Sequence, residues 1–212
     1  MTFFDDLEAA RACWNVLDHP FYRRWSAGEL TRGELAVYAG QYRHAVRALA
    51  DGAAGAAAAA EPPLRPRLER HAAEEAAHVE LWDRFAEAMG GPVDAPTAPQ
   101  TVACARAWSG DGGRPLLASL VALYAIESGQ PAISDIKRAG LVDHYGCAPG
   151  SAATAYFDLH AELDVEHAAA ERALIEPRLD GEDATALVAE AERVLRANWE
   201  LLDGVERLSG RA

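Results

Sequence analysis

Residues 157–176 read FDLHAELDVEHAAAERALIE, a helix-forming stretch with a regular pattern of polar side chains. His160, Asp164 and His167 are spaced i, i+4 and i+7, so in a helix they form one stripe over two turns. Three potential ligands in this register indicate a metal-binding helix face, with a solvated face as the alternative. The neighbouring acids fall mostly off the stripe and are expected to face outward: Glu162, Glu166 and Glu171.

Two further segments place acids and imidazoles at helical spacing. In HAAEEAAHVELW (71–82), Glu75 and His78 are i and i+3, so their side chains meet on one helix face. Glu74 and His78 are i and i+4 and can also meet, so this spacing leaves the choice of glutamate open. Glu127 ends an almost continuous apolar run and stands just before Ser-Gly, where a helix is expected to loosen.

If the polar side chains of these three segments face the core, three carboxylates and three imidazoles converge there. Burying an unpaired carboxylate costs several kcal/mol, and the apolar faces carry no matching cations. Two divalent metal ions would supply the missing charge, and helical bundles hold such pairs with inward-facing Glu and His ligands. Mixed imidazole and carboxylate ligands suit iron or manganese in oxygen chemistry, whereas zinc takes fewer ligands. The pattern therefore predicts two transition-metal ions, iron or an iron–manganese pair.

The composition predicts an all-α fold. Ala, Leu, Glu and Arg dominate, β-branched residues are sparse, and no alternating strand pattern is present. Proline and glycine residues mark the breaks between helical segments. These breaks predict one domain over residues 1–212 made of seven helices, with a kink at Pro131. The predicted helices are roughly 3–18, 31–59, 62–89, 98–109, 114–140, 150–176 and 182–208.

The charge and cysteine content exclude several partners. A net charge of −13 argues against nucleic acid and anionic membranes, because both require clustered cations. We expect no membrane-spanning tract, and the acidic N-terminus is unlike a signal peptide. Three widely separated cysteines indicate reduced thiols and a cytoplasmic location, at positions 13, 104 and 147.

Lys137 is the only lysine in the chain, and the other 19 cationic residues are arginine. An arginine bias from a GC-rich gene could leave one lysine by chance. Arginine, however, cannot supply a neutral, transferable amine, because its guanidinium is never deprotonated in proteins. A retained lysine can therefore indicate amine chemistry.

With these motifs assembled, the sequence resembles the haem-oxygenase-like di-metal oxidases, which share the seven-helix TenA/PqqC fold. Within that family it looks most like the group of the chlamydial protein associating with death domains (CADD). The resemblance covers nearly the whole chain and is carried by residues 19–42, 74–82, 123–141 and 156–176. It implies these metal ligands: Glu75, His78, Glu127, His160, Asp164 and His167. Close relatives carry a Glu seven positions before the His, where this chain has His71, so the resemblance implies that Glu75 or Glu74 supplies the carboxylate. Glu75 is preferred because its i, i+3 spacing to His78 also occurs in the wider family.

The resemblance also implies an activity. The related proteins are implicated in making para-aminobenzoate for folate, using an internal tyrosine as ring source and an internal lysine as amino donor. Tyr22 and Tyr38 correspond to the tyrosines, and Lys137, ten residues after Glu127, corresponds to the lysine. Dioxygen and an external reductant would be needed, and a homodimer is suggested by the family. Plain packing of the two tyrosines is the alternative.

Two other functions remain compatible with the sequence. A non-haem di-iron oxygenase could act on an external amino acid, amine or fatty acid, with Lys137 anchoring a carboxylate. An acidic helical bundle could instead be a non-catalytic binding protein, although such a module has no need for six convergent ligands. Haem binding and thiaminase activity are disfavoured, since buried acids do not suit haem and no nucleophilic cysteine lies in 123–141.

Overall fold

The computed structural model describes residues 2–211, which form α-helices and short 3-10 turns without any strand in that range. The all-α prediction is confirmed. The helices are α1 (Phe3–Cys13), α2 (Pro20–Ala27), α3 (Arg32–Ala59), α4 (Arg65–Met89), α5 (Pro99–Ser109), α6 (Leu116–Glu127), α7 (Gln130–Asp143), α8 (Ala155–Ile175) and α9 (Ala184–Leu208).

Helix α2 was not predicted, and α1 is shorter than the predicted 3–18. The chain leaves α1 after Cys13 and re-enters a helix at Pro20, which occupies the first helical turn where a missing N–H costs nothing. The His19 side chain caps this turn, since its Nδ1 accepts a hydrogen bond from the backbone N–H of Phe21. Gly28, with φ of 70°, ends the helix in the left-handed region.

The predicted helix 114–140 is two helices, α6 and α7, separated at Ser128–Gly129. Pro131 lies in the first turn of α7, so the interruption precedes the proline instead of being a kink at it. The proline ring would clash with the carbonyl group four residues earlier, that of Glu127, if the helix were continuous. Glu127 is therefore the last residue of α6 and lies directly before the interruption.

Helix α6 lies at the centre of the bundle. It packs against α3, α8 and α9, and residues 119–127 are all buried. Around it, α3 packs on α4 and α5, and α7 packs on α8. The carboxylate at the end of α6 is thereby held between the polar faces of α4 and α8.

Residues Leu116–Asp143 are long and apolar enough to span a membrane by length and composition alone, contrary to the expectation of no such tract. The bundle buries 61% of the most apolar part of this stretch. An apolar composition is what the central position of α6 requires, because its residues 119–127 are all buried.

Candidate metal centre

Three helices bring the six predicted ligands together inside the bundle. Glu75 and His78 come from α4, Glu127 from the end of α6, and the stripe of α8 supplies the other three. All six are at least nine-tenths buried. Their potential ligand atoms, together with those of His71, form three overlapping clusters in which the atoms lie within 4.8 Å of one another: His71, Glu127 and His167; Glu75, His78 and His160; Glu75, Asp164 and His167.

The first part of the centre lies between α4 and α8. His78 Nδ1 is 3.2 Å from Glu75 Oε1, and the rings of His78 and His160 are 4.7 Å apart. The i, i+3 spacing on α4 puts the acid and the imidazole on one face, as the sequence indicated. These three side chains leave a small polar space that a single ion can fill.

The second part lies around His167, whose Nδ1 faces three carboxylates. It is 3.5 Å from Glu127 Oε2, 3.7 Å from Glu75 Oε1 and 3.7 Å from Asp164 Oδ1. On the other side of Glu127, His71 Nε2 lies 3.3 Å from Oε1. The sequence marks His71 only as the residue that replaces a glutamate of the relatives, whereas the structure places it at the centre.

Hydrogen bonds outside the centre fix which ring nitrogen of two histidines points inward. His160 Nδ1 donates to the backbone oxygen of Tyr156 at 2.7 Å, which leaves Nε2 as the inward acceptor. His167 Nε2 lies 3.3 Å from Glu74 Oε2, so Nδ1 faces the carboxylates. Metal-bound histidines are oriented by outer partners of this kind.

The geometry also distinguishes Glu74 from Glu75 as the carboxylate that faces the centre. Glu75 is 1% exposed and points into the centre, whereas the Glu74 side chain is 53% exposed and contacts only the outer nitrogen of His167. Glu75 is thus the carboxylate positioned to ligate, and Glu74 is positioned to orient an imidazole.

Most polar atoms of the centre have no hydrogen-bond partner within the described part of the chain, although they are fully shielded from solvent. Buried polar groups are normally hydrogen-bonded, so such a concentration indicates that a bound group completes the site. The mixed carboxylate and imidazole donors fit a pair of transition-metal ions. The unpartnered atoms are His71 Nε2, Glu75 Oε1, His78 Nδ1, His160 Nε2, His167 Nδ1 and both carboxylate oxygens of Glu127, Asp164 and Glu171.

The electrostatics of the centre reflect a surplus of buried acids. Burial, reinforced by the carboxylates of Glu127 and Glu75, raises the pKa of Asp164 to about 9. Burial by itself would also raise the pKa of Glu127, but the imidazoles of His167 and His71 outweigh it and lower that pKa. Burial lowers the pKa of His160 to about 3, so its imidazole is neutral and able to ligate.

The expectation that Glu171 faces outward is wrong. Glu171 is 2% exposed, and burial together with the neighbouring acids raises its pKa well above the usual value. It lies four residues after His167 and continues the stripe by one turn, so the same register that selected the three ligands would have included it. Glu162 and Glu166 are exposed, as predicted.

Lys137 lies in α7 with its amine inside an aromatic cage. The side chain is 1% exposed, and burial lowers its pKa to about 7, with no anion among residues 2–211 to counteract that effect. The Nζ atom is 4.7 to 5.9 Å from the centroids of five rings, those of Tyr22, Tyr38, Tyr42, Trp82 and Phe157. A substantial fraction of the amine is therefore neutral at pH 7.

The two tyrosines singled out in the sequence contact each other. The hydroxyl groups of Tyr22 and Tyr38 are 2.8 Å apart, and both side chains are almost completely buried. Burial raises the pKa of each phenol well above 10. Tyr42 was not singled out from the sequence, yet its ring is the nearest of the cage to the amine, at 4.7 Å.

Aromatic contacts connect the metal centre with this tyrosine cluster. Tyr156 stacks on the imidazole of His160 with a centroid distance of 3.9 Å. Its ring lies 4.9 Å from that of Trp82, which in turn lies 5.0 Å from Tyr42 and 5.8 Å from Tyr38. The two sites are thus linked by a series of neighbouring aromatic rings.

Comparisons with known proteins agree with this site. Residues 36–199 match the model of a family described as iron-containing redox enzymes. A protein of Chlamydia muridarum named 4-aminobenzoate synthase is 32% identical, covering 96% of this chain and 89% of the relative. A protein of Nitrosomonas europaea with the same name is 30% identical, covering 96% and 91% of the two chains.

Solved structures agree in fold. A TenA homologue from Pseudomonas syringae superposes with a TM-score of 0.83 at 17% identity, covering 97% of this chain and 91% of the other. A Shewanella denitrificans domain described as having a heme oxygenase-like fold gives 0.84 at 17% identity, covering 99% and 94%. At this identity the likeness shows the fold alone. Taken with the family match over residues 36–199, the chain belongs to the haem-oxygenase-like family of iron-containing redox enzymes.

Proposed function

We propose that this chain is a 4-aminobenzoate synthase that uses one of its own tyrosines as the ring source and Lys137 as the amino donor. The observation that carries the proposal is the position of the only lysine, whose amine is buried among three tyrosine rings at 4.7 to 5.6 Å. Relatives of that name match nearly the full length of the chain. The reaction would take place in the cytoplasm on a self-derived substrate.

The acid–imidazole centre would hold two iron ions, or one iron and one manganese, through the six predicted ligands. The metals would supply oxidising power by activating dioxygen with electrons from an external reductant. The unpartnered atoms of the centre support this assignment, because each faces inward and lacks another role. Glu74 would orient His167, and the Tyr156 carbonyl would orient His160.

Lys137 would act as a nitrogen nucleophile. An ammonium group has no lone pair, so the amine must be neutral to form a bond to carbon. Burial lowers the pKa of Lys137 to about 7, which makes the neutral form available without a strong base. The surrounding rings also exclude water, which would compete with the amine for an oxidised ring.

Tyr22 and Tyr38 would supply the ring. Each remains a neutral phenol because burial raises its pKa, and either hydroxyl can donate a hydrogen bond to the other. A proton lost from one phenol on oxidation has an acceptor 2.8 Å away. The ring contacts through Tyr156 and Trp82 offer a route for electrons between the ligand His160 and this pair.

The test is aerobic incubation of the purified chain with Fe(II), Mn(II) and a reductant, followed by an assay for 4-aminobenzoate. We expect about one product molecule per chain and a mass change at Tyr22 or Tyr38 that appears with the product. Tyr22→Phe and Tyr38→Phe separate the two candidates. Tyr145→Phe, at a half-buried tyrosine outside the Lys137 cage, is the matched control and should retain full yield.

Lys137→Arg isolates the role of the amine, since arginine keeps a cation but cannot transfer nitrogen. We expect this variant to bind metal normally and to make no 4-aminobenzoate. Product from Lys137→Arg, or an unaltered set of tyrosines after product release, would contradict the self-sacrificing reaction. It would favour an oxygenase acting on an external substrate.

A further inference from the structure

His71 occupies a position in α4 from which it reaches the metal centre. It lies one turn before Glu75 and two turns before His78 on the same helix face. Its Nε2 is shielded from solvent, has no hydrogen-bond partner and lies 3.3 Å from Glu127 Oε1. Its ring is 4.3 Å from that of His167. An imidazole nitrogen buried in this way is either a partner of Glu127 or a ligand.

Including His71 gives the centre a symmetry that the six predicted ligands lack. One cluster consists of Glu75, His78 and His160, and the other consists of His71, Glu127 and His167. Each contains two imidazoles and one carboxylate. Without His71 the second cluster would have a single imidazole. Two histidines and one carboxylate, with remaining positions open, are the ligand set that holds iron in non-haem oxygenases.

We propose that His71 is a seventh metal ligand, so that each of the two metal positions is held by two histidines and one carboxylate. Asp164 lies between the positions, because its carboxylate is grouped with both Glu75 and His167. The inference rests on the metal centre of the proposed function but not on its product. It assigns the first metal to Glu75, His78 and His160, and the second to His71, Glu127 and His167.

A cavity beside the cluster of His71, Glu127 and His167 indicates that the second metal position is accessible to solvent. A space of about 150 Å³ lies beside this cluster, and its lining includes His71, Glu74, His167 and Glu171. The His71 side chain is 11% exposed, whereas His160 is 1% exposed. The position held by His71 is thus the one nearer to solvent, from which a metal ion can enter or leave.

The test measures iron bound per chain and the affinity of each equivalent in wild type, His71→Gln and His144→Gln. His144 is exposed and hydrogen-bonded to the Ser26 carbonyl, far from the candidate ligands in the chain, so its variant controls for loss of a histidine elsewhere. We expect two irons in wild type and in His144→Gln. In His71→Gln one iron should remain tight, and the affinity for the second should fall by more than the roughly 10- to 100-fold caused by losing an outer partner.

The outcomes separate the two proposals. Two tightly bound irons in His71→Gln, as in wild type, would overturn the ligand role of His71 and leave the proposed function intact. Absence of iron from wild type would overturn both. A crystal structure of the iron-loaded wild-type chain gives an answer independent of how the variant folds. We expect Nε2 of His71 within bonding distance of the second iron, and a ring that contacts only Glu127 would contradict the assignment.

Discussion

The buried acid Glu34 and the buried acids of the metal centre have opposite surroundings. Glu34, which is 5% exposed, lies 2.6 Å from Arg24 and 3.1 Å from Arg211, and its other oxygen caps α3 through Thr31. The carboxylates of the metal centre have no arginine within ion-pairing distance among residues 2–211. Their neighbours are imidazoles and other acids.

The difference distinguishes a structural acid from a ligand. Burial by itself raises the pKa of Glu34, but the backbone of Thr31 and the Arg24 guanidinium outweigh it and lower that pKa to about 2. In the centre the pKa of Asp164 is instead raised to about 9. Where the chain supplies its own counter-charge, the acid joins helices together. Where it does not, a bound cation is required to complete the site.

The largest effect is expected from Glu127→Gln, which removes the carboxylate shared by His71 and His167. We expect product to fall to background and at least one iron equivalent to be lost, because an amide is a much poorer ligand for iron. The free energy of unfolding should change little, since the imidazoles can release their protons. Iron analysis measures the metal content, and urea unfolding measures the stability. Retention of the full iron content would contradict the role of Glu127 as a ligand.

The pH dependence of product formation is the next largest effect. Lys137 is buried yet paired with neither group of acids, and its pKa is lowered to about 7. If the neutral amine reacts, the single-turnover rate should fall about tenfold for each pH unit below 7 and level off above it. A rate that continues to rise toward pH 10 would show that the amine has its ordinary pKa. Fully iron-loaded enzyme must be used at each pH.

Glu74→Gln is expected to have an intermediate effect. Its carboxylate accepts from the outer nitrogen of His167 and is half exposed, so its loss should weaken iron binding by roughly 10-fold. Product yield should return at saturating iron, unlike that of Glu127→Gln. Titration with Fe(II) measures the change in iron affinity. An unchanged affinity would contradict the role of Glu74 in orienting His167.

Glu34→Gln should give the smallest effect on activity and a clear effect on stability. It leaves Arg24 with one fewer anionic partner, so we expect the free energy of unfolding to fall by about 1–3 kcal/mol, with iron content and product unchanged. The lowered pKa of Glu34 means that its contribution is present above pH 4.5 and is lost as the pH falls toward 2. The variant should therefore show less loss of stability than wild type over this interval. Loss of iron in this variant would contradict the assignment of Glu34 as a purely structural acid.

Helical register allowed much of the centre to be predicted from the sequence. The spacings within α4 and α8 selected five candidate ligands that the structure brings together, and the position of Glu127 at the end of an apolar run selected the sixth. The same register extends to His71 and Glu171, but Glu171 was expected to face outward, and His71 was noted only as the residue that replaces a glutamate of the relatives. Burial of a particular turn depends on which helix packs over it, and the sequence does not specify that.

The connections were harder to predict than the helices. Helix α2 is only eight residues long and depends on its His19 cap and Gly28 terminator, signals that resemble a loop. The separation of α6 from α7 depends on Pro131, whose effect was placed at the proline instead of one turn earlier. The aromatic cage around Lys137 combines residues from α2, α3, α4 and α8, so only the tertiary structure reveals it.

The most direct test of the account uses the fact that the chain has one lysine. The protein is produced with lysine labelled with ¹⁵N at the side chain, loaded with iron in unlabelled buffer, and exposed to dioxygen and reductant. The mass of the released 4-aminobenzoate then reports the origin of its nitrogen. We predict product carrying one ¹⁵N, and product of natural isotopic mass would contradict the claim that Lys137 is the amino donor.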